Sequence, residues 1–170
     1  DGEDTINGAG KLFYADSSEA ITVNLTLTGK DVFSDAGDDK VTGTINGYIG
    51  SSKDDTMTGD GNANLFVGGG GDDKLIGLDG ADHLLGGGGD DTLLGGADAD
   101  VLYGNGGDDV MYGGAGGDVL WGGLGDDVMY GVDGPDTLRG SLGKDQGWGG
   151  RGSDICLAEV RDHCELGKIN

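Results

Sequence analysis

The chain has 170 residues, of which 41 are Gly and one is Pro, and 32 acids against 10 Lys and Arg give a formal net charge of −22. That charge excludes a binder of phosphate backbones, which needs clustered Lys and Arg; no apolar run approaches the ~18 residues of a membrane-spanning helix, and Gly at about 1 kcal/mol per helix-interior position argues against long helices. What is left is an acidic disordered chain or a fold in which something else supplies positive charge, and the choice turns on whether Gly and Asp keep a fixed period.

Residues 1–49 read as strand-rich. Gly2-Glu3-Asp4-Thr5-Ile6-Asn7 and Gly37-Asp38-Asp39-Lys40-Val41-Thr42 share the order G-x-D-x-U-x, with U apolar, and Val41 is a candidate core residue. Leu12-Phe13-Tyr14 predicts a strand. Ile21, Val23, Leu25 and Leu27 alternate with Thr22, Asn24, Thr26 and Thr28, the two-residue period of a half-buried strand. The expectation is a strand-rich insertion at about 9–33 that interrupts an N-terminal continuation of the array described next. Asn24-Leu25-Thr26 is a single glycosylation sequon. The chain opens on Asp1, partway through a repeat-like segment, as a processed protein or a fragment does.

From Gly50 the period is unmistakable. Stepping by nine, positions 50 to 149 are Gly at all twelve places; five residues after each stands Asp in eleven of twelve, with Asn64 the exception. Two residues further on come Met57, Phe66, Leu75, Leu84, Leu93, Leu102, Met111, Leu120, Met129, Leu138, Gly147 and Cys156, ten of them large and apolar. A disordered acidic tail has no reason to keep such a register, and fixed periods mark repeat architectures. Each unit reads as a Gly-rich turn followed by a three-residue strand whose central side chain points to one side. One strand cannot bury that side alone, so the units must stack. The residue before the repeat Asp is Asp54, Asp72, Asp90, Asp108 and Asp126 in alternate units, against Ala63, Ala81, Ala99, Gly117, Pro135 and Ser153 in the others. Two units per 18-residue turn, with two unlike edges, account for that alternation.

The pattern G-x-x-G-x-D-x-U-x resembles the RTX nonapeptide G-G-x-G-x-D-x-U-x of secreted bacterial calcium-binding proteins. Its best copies are Gly68-Gly69-Gly70-Gly71-Asp72-Asp73-Lys74-Leu75-Ile76 and Gly86-Gly87-Gly88-Gly89-Asp90-Asp91-Thr92-Leu93-Leu94. The resemblance implies an all-β fold, a parallel β-roll or β-solenoid of twelve units over 50–157, with residues 158–170 as a C-terminal cap. It also implies Ca²⁺ between loops of adjacent turns. Carried onto this chain, the carboxylate ligands are Asp55, Asp73, Asp82, Asp91, Asp100, Asp109, Asp118, Asp127, Asp136, Asp145 and Asp154. Carbonyls come from Gly71, Gly80, Gly89, Gly107, Gly116, Gly125 and Gly134. Ca²⁺ takes six to eight such oxygens, and up to about ten ions bridging each loop to the one 18 residues on would offset most of the −22 charge. Some loops depart from the pattern. Lys53, Asn62 and Asp98 replace the fourth-position Gly, Asn64 replaces Asp, Lys144 stands beside Asp145, and Gly147 removes a core side chain. The sequence therefore places the weakest sites at the N-terminal end and has the roll degrade from about residue 140.

The last residue of each unit points outward yet is mostly apolar: Ile76, Leu94, Tyr112, Tyr130 and Trp148 on one face, Val67, Leu85, Tyr103 and Trp121 on the other. Two readings stand: stacking of neighbours within each sheet, or a contact surface for another copy, another domain or a glycan. Cys156 and Cys164, eight residues apart, are expected to form a disulfide, as the extracellular resemblance implies; a buried thiol or a Cys₂His site with His163 are the alternatives. Neither His83 nor His163 lies in H-E-x-x-H, and G-x-S-x-G is absent. The sequence reads as a non-catalytic, secreted, extracellular or cell-surface calcium-binding β-roll with a structural or self-assembling role. The alternatives are a C-terminal secretion and folding module of a larger secreted enzyme, toxin or adhesin, and a glycan-binding adhesive module.

Overall fold

The turn-and-strand alternation that the nine-residue pattern dictates is carried through the whole array. The computed structural model describes residues 45–157 without a break, with side chains from Gly47 onward, and the backbone of four short strands before them. Those four are β1 (Thr5–Asn7), β2 (Gly10–Phe13), β3 (Thr22–Asn24) and β4 (Lys40–Thr42). The array itself contains β5 (Ile45–Ile49), β6 (Thr56–Thr58), β7 (Leu65–Gly70), β8 (Lys74–Leu78), β9 (His83–Gly88), β10 (Thr92–Ala97), β11 (Val101–Gly106) and β12 (Val110–Ala115). It continues with β13 (Val119–Leu124), β14 (Val128–Asp133), β15 (Thr137–Leu142), β16 (Gln146–Arg151) and β17 (Ile155–Leu157). Among the described residues no helix is long and apolar enough to cross a membrane.

Alternate strands enter opposite sheets. One sheet runs β16-β14-β12-β10-β8-β6-β3 and the other β17-β15-β13-β11-β9-β7-β5-β2. Every pairing is parallel, and within the array partners stand 18 residues apart, as in Leu93↔Met111 and Leu102↔Leu120. Thr, Val and aromatic residues at the strand positions suit such a pleated, half-buried ladder. The result is a parallel β-roll. Its core is a stack of the central strand residues, Tyr48, Met57, Phe66, Leu75, Leu84, Leu93, Leu102, Met111, Leu120, Met129 and Leu138, each with no exposed surface. Burying a side chain of that size contributes about 1.5–3 kcal/mol, so every half-turn adds a similar increment to a core that is narrow but continuous.

Three expectations change. The core series begins at Tyr48, nine residues before Met57 and ahead of the first Gly of the frame. The strands of the expected insertion, β2 and β3, are not outside the roll. They pair with β5 and β6 as the last strand of each sheet, while the repeat-like segments β1 and β4 pair with each other. The alternating segment is described only at Thr22–Asn24; its remaining residues and the sequon's Thr26 lie outside the described residues. Nor does the roll degrade after residue 140. β15, β16 and β17 keep full register, as in Tyr130↔Trp148 and Leu138↔Cys156. The ladder is made by backbone groups, so the missing side chain at Gly147 leaves its hydrogen bonds intact, and Cys156 packs half-buried against the core.

Candidate metal sites

The loops between strands form two columns, one along each edge of the roll. In each column the side chain of a repeat Asp reaches to the turn before it. The backbone N–H of Asp55 donates to Asp73 Oδ1, that of Asp73 to Asp91, and so on through Asp91, Asp109 and Asp127 to Asp145. On the opposite edge the N–H of Asn64 donates to Asp82, followed by Asp82, Asp100, Asp118 and Asp136 to Asp154. All ten bonds are 2.7–3.1 Å long. The nine-residue spacing predicts that Asp side chains of adjacent turns converge; it does not show that one oxygen of each is taken by a backbone donor.

The second oxygen is the chemically telling one. Oδ2 of Asp73, Asp82, Asp91, Asp100, Asp109, Asp118, Asp127, Asp136, Asp145 and Asp154 is buried and has no hydrogen-bond partner. Each of these residues is at most 4% exposed. An unsatisfied buried carboxylate oxygen is costly. Burial pushes Asp73, Asp100, Asp109 and Asp127 up to about 7, and Asp82, Asp91 and Asp136 up to about 6, and it raises Asp118. The backbone donor opposes the rise in every case, and for all but Asp118 the charge of neighbouring aspartates adds to it. Left to themselves these carboxylates would hold protons well above the ordinary carboxylate range. A cation beside Oδ2 removes both the desolvation penalty and the mutual repulsion.

Glycine makes room for this arrangement. A Cβ on the first-position Gly68, Gly86 or Gly104 would fall on Oδ2 of Asp73, Asp91 or Asp109, so the carboxylate occupies the space a side chain would fill. The fourth-position residues Gly71, Gly80, Gly89, Gly107, Gly116, Gly125 and Gly134 all lie at left-handed φ, between +101° and +152°. Their N–H groups mostly donate to the next turn; Gly89 bonds the Gly106 carbonyl at 2.9 Å. A Cβ on Gly89 would strike the Gly71 carbonyl oxygen, and one on Gly107 the Gly89 oxygen. Carbonyl oxygens of one turn therefore pack directly against the corresponding glycine of the next. Among the described residues no three His, Cys, Asp or Glu side chains gather at one point. A cation here would draw on one or two carboxylates and otherwise on carbonyls, a donor set that fits Ca²⁺ and not Zn²⁺.

Two further features lie outside the columns of repeat aspartates. The extra aspartates of one edge are not bare solvated charge. Asp54, Asp72, Asp90 and Asp108 accept from the N–H of the next turn's Asp, and Asp126 from that of Lys144, at 2.7–2.9 Å. The outward aromatics stack along their sheets. Tyr112, Tyr130 and Trp148 lie ring on ring with centroids 4.8 Å apart. Tyr103 packs on Trp121, and the Arg139 guanidinium sits 4.5 Å from the Trp121 ring centroid. Tyr130 thus has both faces covered. His83 is an exposed strand residue. Cys156 is disulfide-bonded; Cys164 and His163 lie outside the described residues.

A search among curated proteins found no match. A family model described as the RTX calcium-binding nonapeptide repeat (4 copies) matches residues 49–84, 85–120 and 121–156 in succession, the stretch that builds the two loop columns.

Proposed function

Because the chain belongs to the RTX calcium-binding nonapeptide repeat family, we propose that it is a secreted structural β-roll whose folding is driven by extracellular Ca²⁺. The observation that carries this reading is the set of ten buried, unpartnered Oδ2 atoms. Their aspartates, with carbonyls of the fourth-position glycines Gly71 to Gly134, are the residues we assign to the ions. Bound Ca²⁺ supplies the positive charge that a −22 chain lacks. Ligands that exist as a set only in the fold turn binding free energy into folding free energy. Affinity at the level of extracellular modules, about 10⁻⁴–10⁻³ M, would leave the chain unfolded and exportable in a cytosol poor in calcium and fold it outside.

The disulfide at Cys156 supports an oxidising compartment, and its proposed partner is Cys164, the one other cysteine in the chain. The reading includes no catalytic role. It includes self-association through the roll ends or the sheet faces; the covered faces of Tyr130 favour packing within the sheet over a glycan platform. Circular dichroism with calcium and with excess chelator tests the central claim. β-Structure should appear on adding Ca²⁺, and persistence unchanged in chelator would rule out calcium-driven folding. Sedimentation of the calcium-loaded protein over a range of concentrations tests self-association, and a single monomeric species throughout removes it.

A further inference from the structure

The first turn of the array does not share the loop geometry of the turns that follow. In the ten loops from 68–73 to 149–154, the second and fourth residues all have left-handed φ, whether they are glycines or, as at Leu78, Asp98 and Val132, are not. In the loops 50–55 and 59–64 none of the corresponding residues, Ser51, Lys53, Asp60 and Asn62, does. These two loops close on themselves instead. The Lys53 N–H donates to Ser51 Oγ at 3.1 Å, and the Asn62 N–H to Asp60 Oδ1 at 2.9 Å. In later loops the fourth-position N–H goes to the next turn, as from Gly71 to the Gly88 carbonyl.

The buried acids differ in the same way. Asp55 has partners on both carboxylate oxygens: the Ser51 N–H on Oδ2 at 2.6 Å and the Ser51 hydroxyl on Oδ1 at 3.1 Å. Its counterpart Asn64 is uncharged and accepts from the Asp60 N–H at 3.1 Å. Neither presents the bare, buried Oδ2 that marks all ten later acids. Backbone conformation and side-chain satisfaction thus break at one place, between loops 59–64 and 68–73, although the Gly frame runs through without interruption.

We infer that the first turn, residues 50–64, is closed by its own side chains and holds no calcium, so that the ion columns begin at Asp73 and Asp82. Chain donors do at Asp55 what a cation does further along. Ten loops of the left-handed kind, five on each edge, form four adjacent pairs per edge and so eight two-loop sites. Eight ions are enough to reach all ten bare oxygens, since Asp91 or Asp118 serves two neighbouring ions and Asp73 or Asp154 serves one. The first turn then stands as an ion-free layer between the N-terminal strands and the ion-bearing turns.

The inference rests on the calcium reading above, and one experiment separates the two. Calcium bound per chain is counted by equilibrium dialysis at saturating Ca²⁺ with elemental analysis, on protein shown folded by circular dichroism. Eight ions are expected for the natural chain and again for Asp55→Asn; Asp73→Asn should hold seven and Asp91→Asn six. Ser51→Gly, which removes the hydroxyl but keeps the carboxylate, covers the case in which Asp55→Asn does not fold and should also hold eight. Ten ions in the natural chain, or loss of an ion in Asp55→Asn or Ser51→Gly, would overturn the inference and leave the calcium reading standing. No bound calcium in any of them would overturn both.

Discussion

The two edges of the roll share a backbone path and an internal ladder of repeat aspartates, yet they are held differently. The edge of loops 68–73, 86–91, 104–109 and 122–127 carries a second ladder outside the first. In it Asp54, Asp72, Asp90, Asp108 and Asp126 accept N–H bonds from the turn that follows, whereas the inner aspartates accept from the turn before. Each junction between turns is thus tied from both directions. The opposite edge has Ala63, Ala81, Ala99, Gly117, Pro135 and Ser153 at those places. Its left-handed positions also include Leu78, Asp98 and Val132, against Asn105 and Ser141 on the first edge. Asn tolerates that conformation, whereas a β-branched residue there is strained by about 1–3 kcal/mol. One edge carries two full ladders; the other carries the inner ladder and a single further tie, from the Gly80 N–H to Asp98 Oδ2 at 3.3 Å, with Leu78 and Val132 at left-handed φ, and it depends more on whatever neutralises its buried acids.

The largest effect should come from withdrawing calcium. With excess chelator at neutral pH the roll should lose most of its β-structure. At sub-saturating calcium, amide exchange should rise first at Asp82, Asp100 and Asp118, before Asp73, Asp91 and Asp109. Equal exchange on both edges would remove the distinction. Acidity should act in opposite directions on the two forms. Burial raises the folded carboxylates to about 6–7 from an ordinary value of 3.8. Between about pH 4 and 7 the ion-free fold therefore holds protons that the unfolded chain has lost. That contribution is fully present below pH 4 and is lost as pH rises through 6–7. In chelator, thermal stability should be greater at pH 5 than at pH 8. In calcium the order should reverse, because protons compete with the ion for the same oxygens. Thermal melts at both pH values, with and without calcium, check the crossing.

Single substitutions should rank below these. Asp118→Ala and Asp109→Ala each leave a buried N–H without its acceptor, that of Asp100 or Asp91, at a cost of about 1–3 kcal/mol. The shift in the calcium midpoint should be larger for Asp118→Ala, where no outer ladder supports the junction. Val132→Gly should stabilise the calcium-loaded protein by about 1 kcal/mol by relieving a β-branched residue at φ +88°; a lower melting temperature would contradict the strain. The smallest effect is expected from Asp90→Ala, which removes one exposed rung, that to the Asp108 N–H, worth about 0.5 kcal/mol.

The frame of nine made much of this legible before any coordinates. Gly50, Asp55 and Met57 with their repeats specify loop, acid and core, and the Asp-or-Ala alternation ahead of the repeat Asp separates the edges. Periodicity reports position, however, and not which atom bonds to which. It could not show that Oδ1 of each Asp is spent on a backbone donor while Oδ2 is left bare, nor that Asp90 reaches forward along the chain. Tyr48 escaped because it precedes the first Gly of the frame, although counting back nine residues from Met57 would have found it. β2 and β3 lack the Gly and Asp of the repeat, so the frame alone assigns them to an insertion. The sheets extend over them nonetheless, since a parallel ladder asks only for a strand with free backbone groups.

The 18-residue register has a consequence for how such a chain can change length. Gain or loss of one whole turn returns every later loop to its own edge and joins equivalent surfaces, so the molecule becomes longer or shorter while keeping its kind. A change of nine residues keeps the Gly frame and the core unbroken but exchanges the edges beyond that point. The outer aspartate ladder would then stop on one side and resume on the other, with no turn in which the two sections meet. Selection acting on this protein's length should therefore admit whole turns far more readily than half turns.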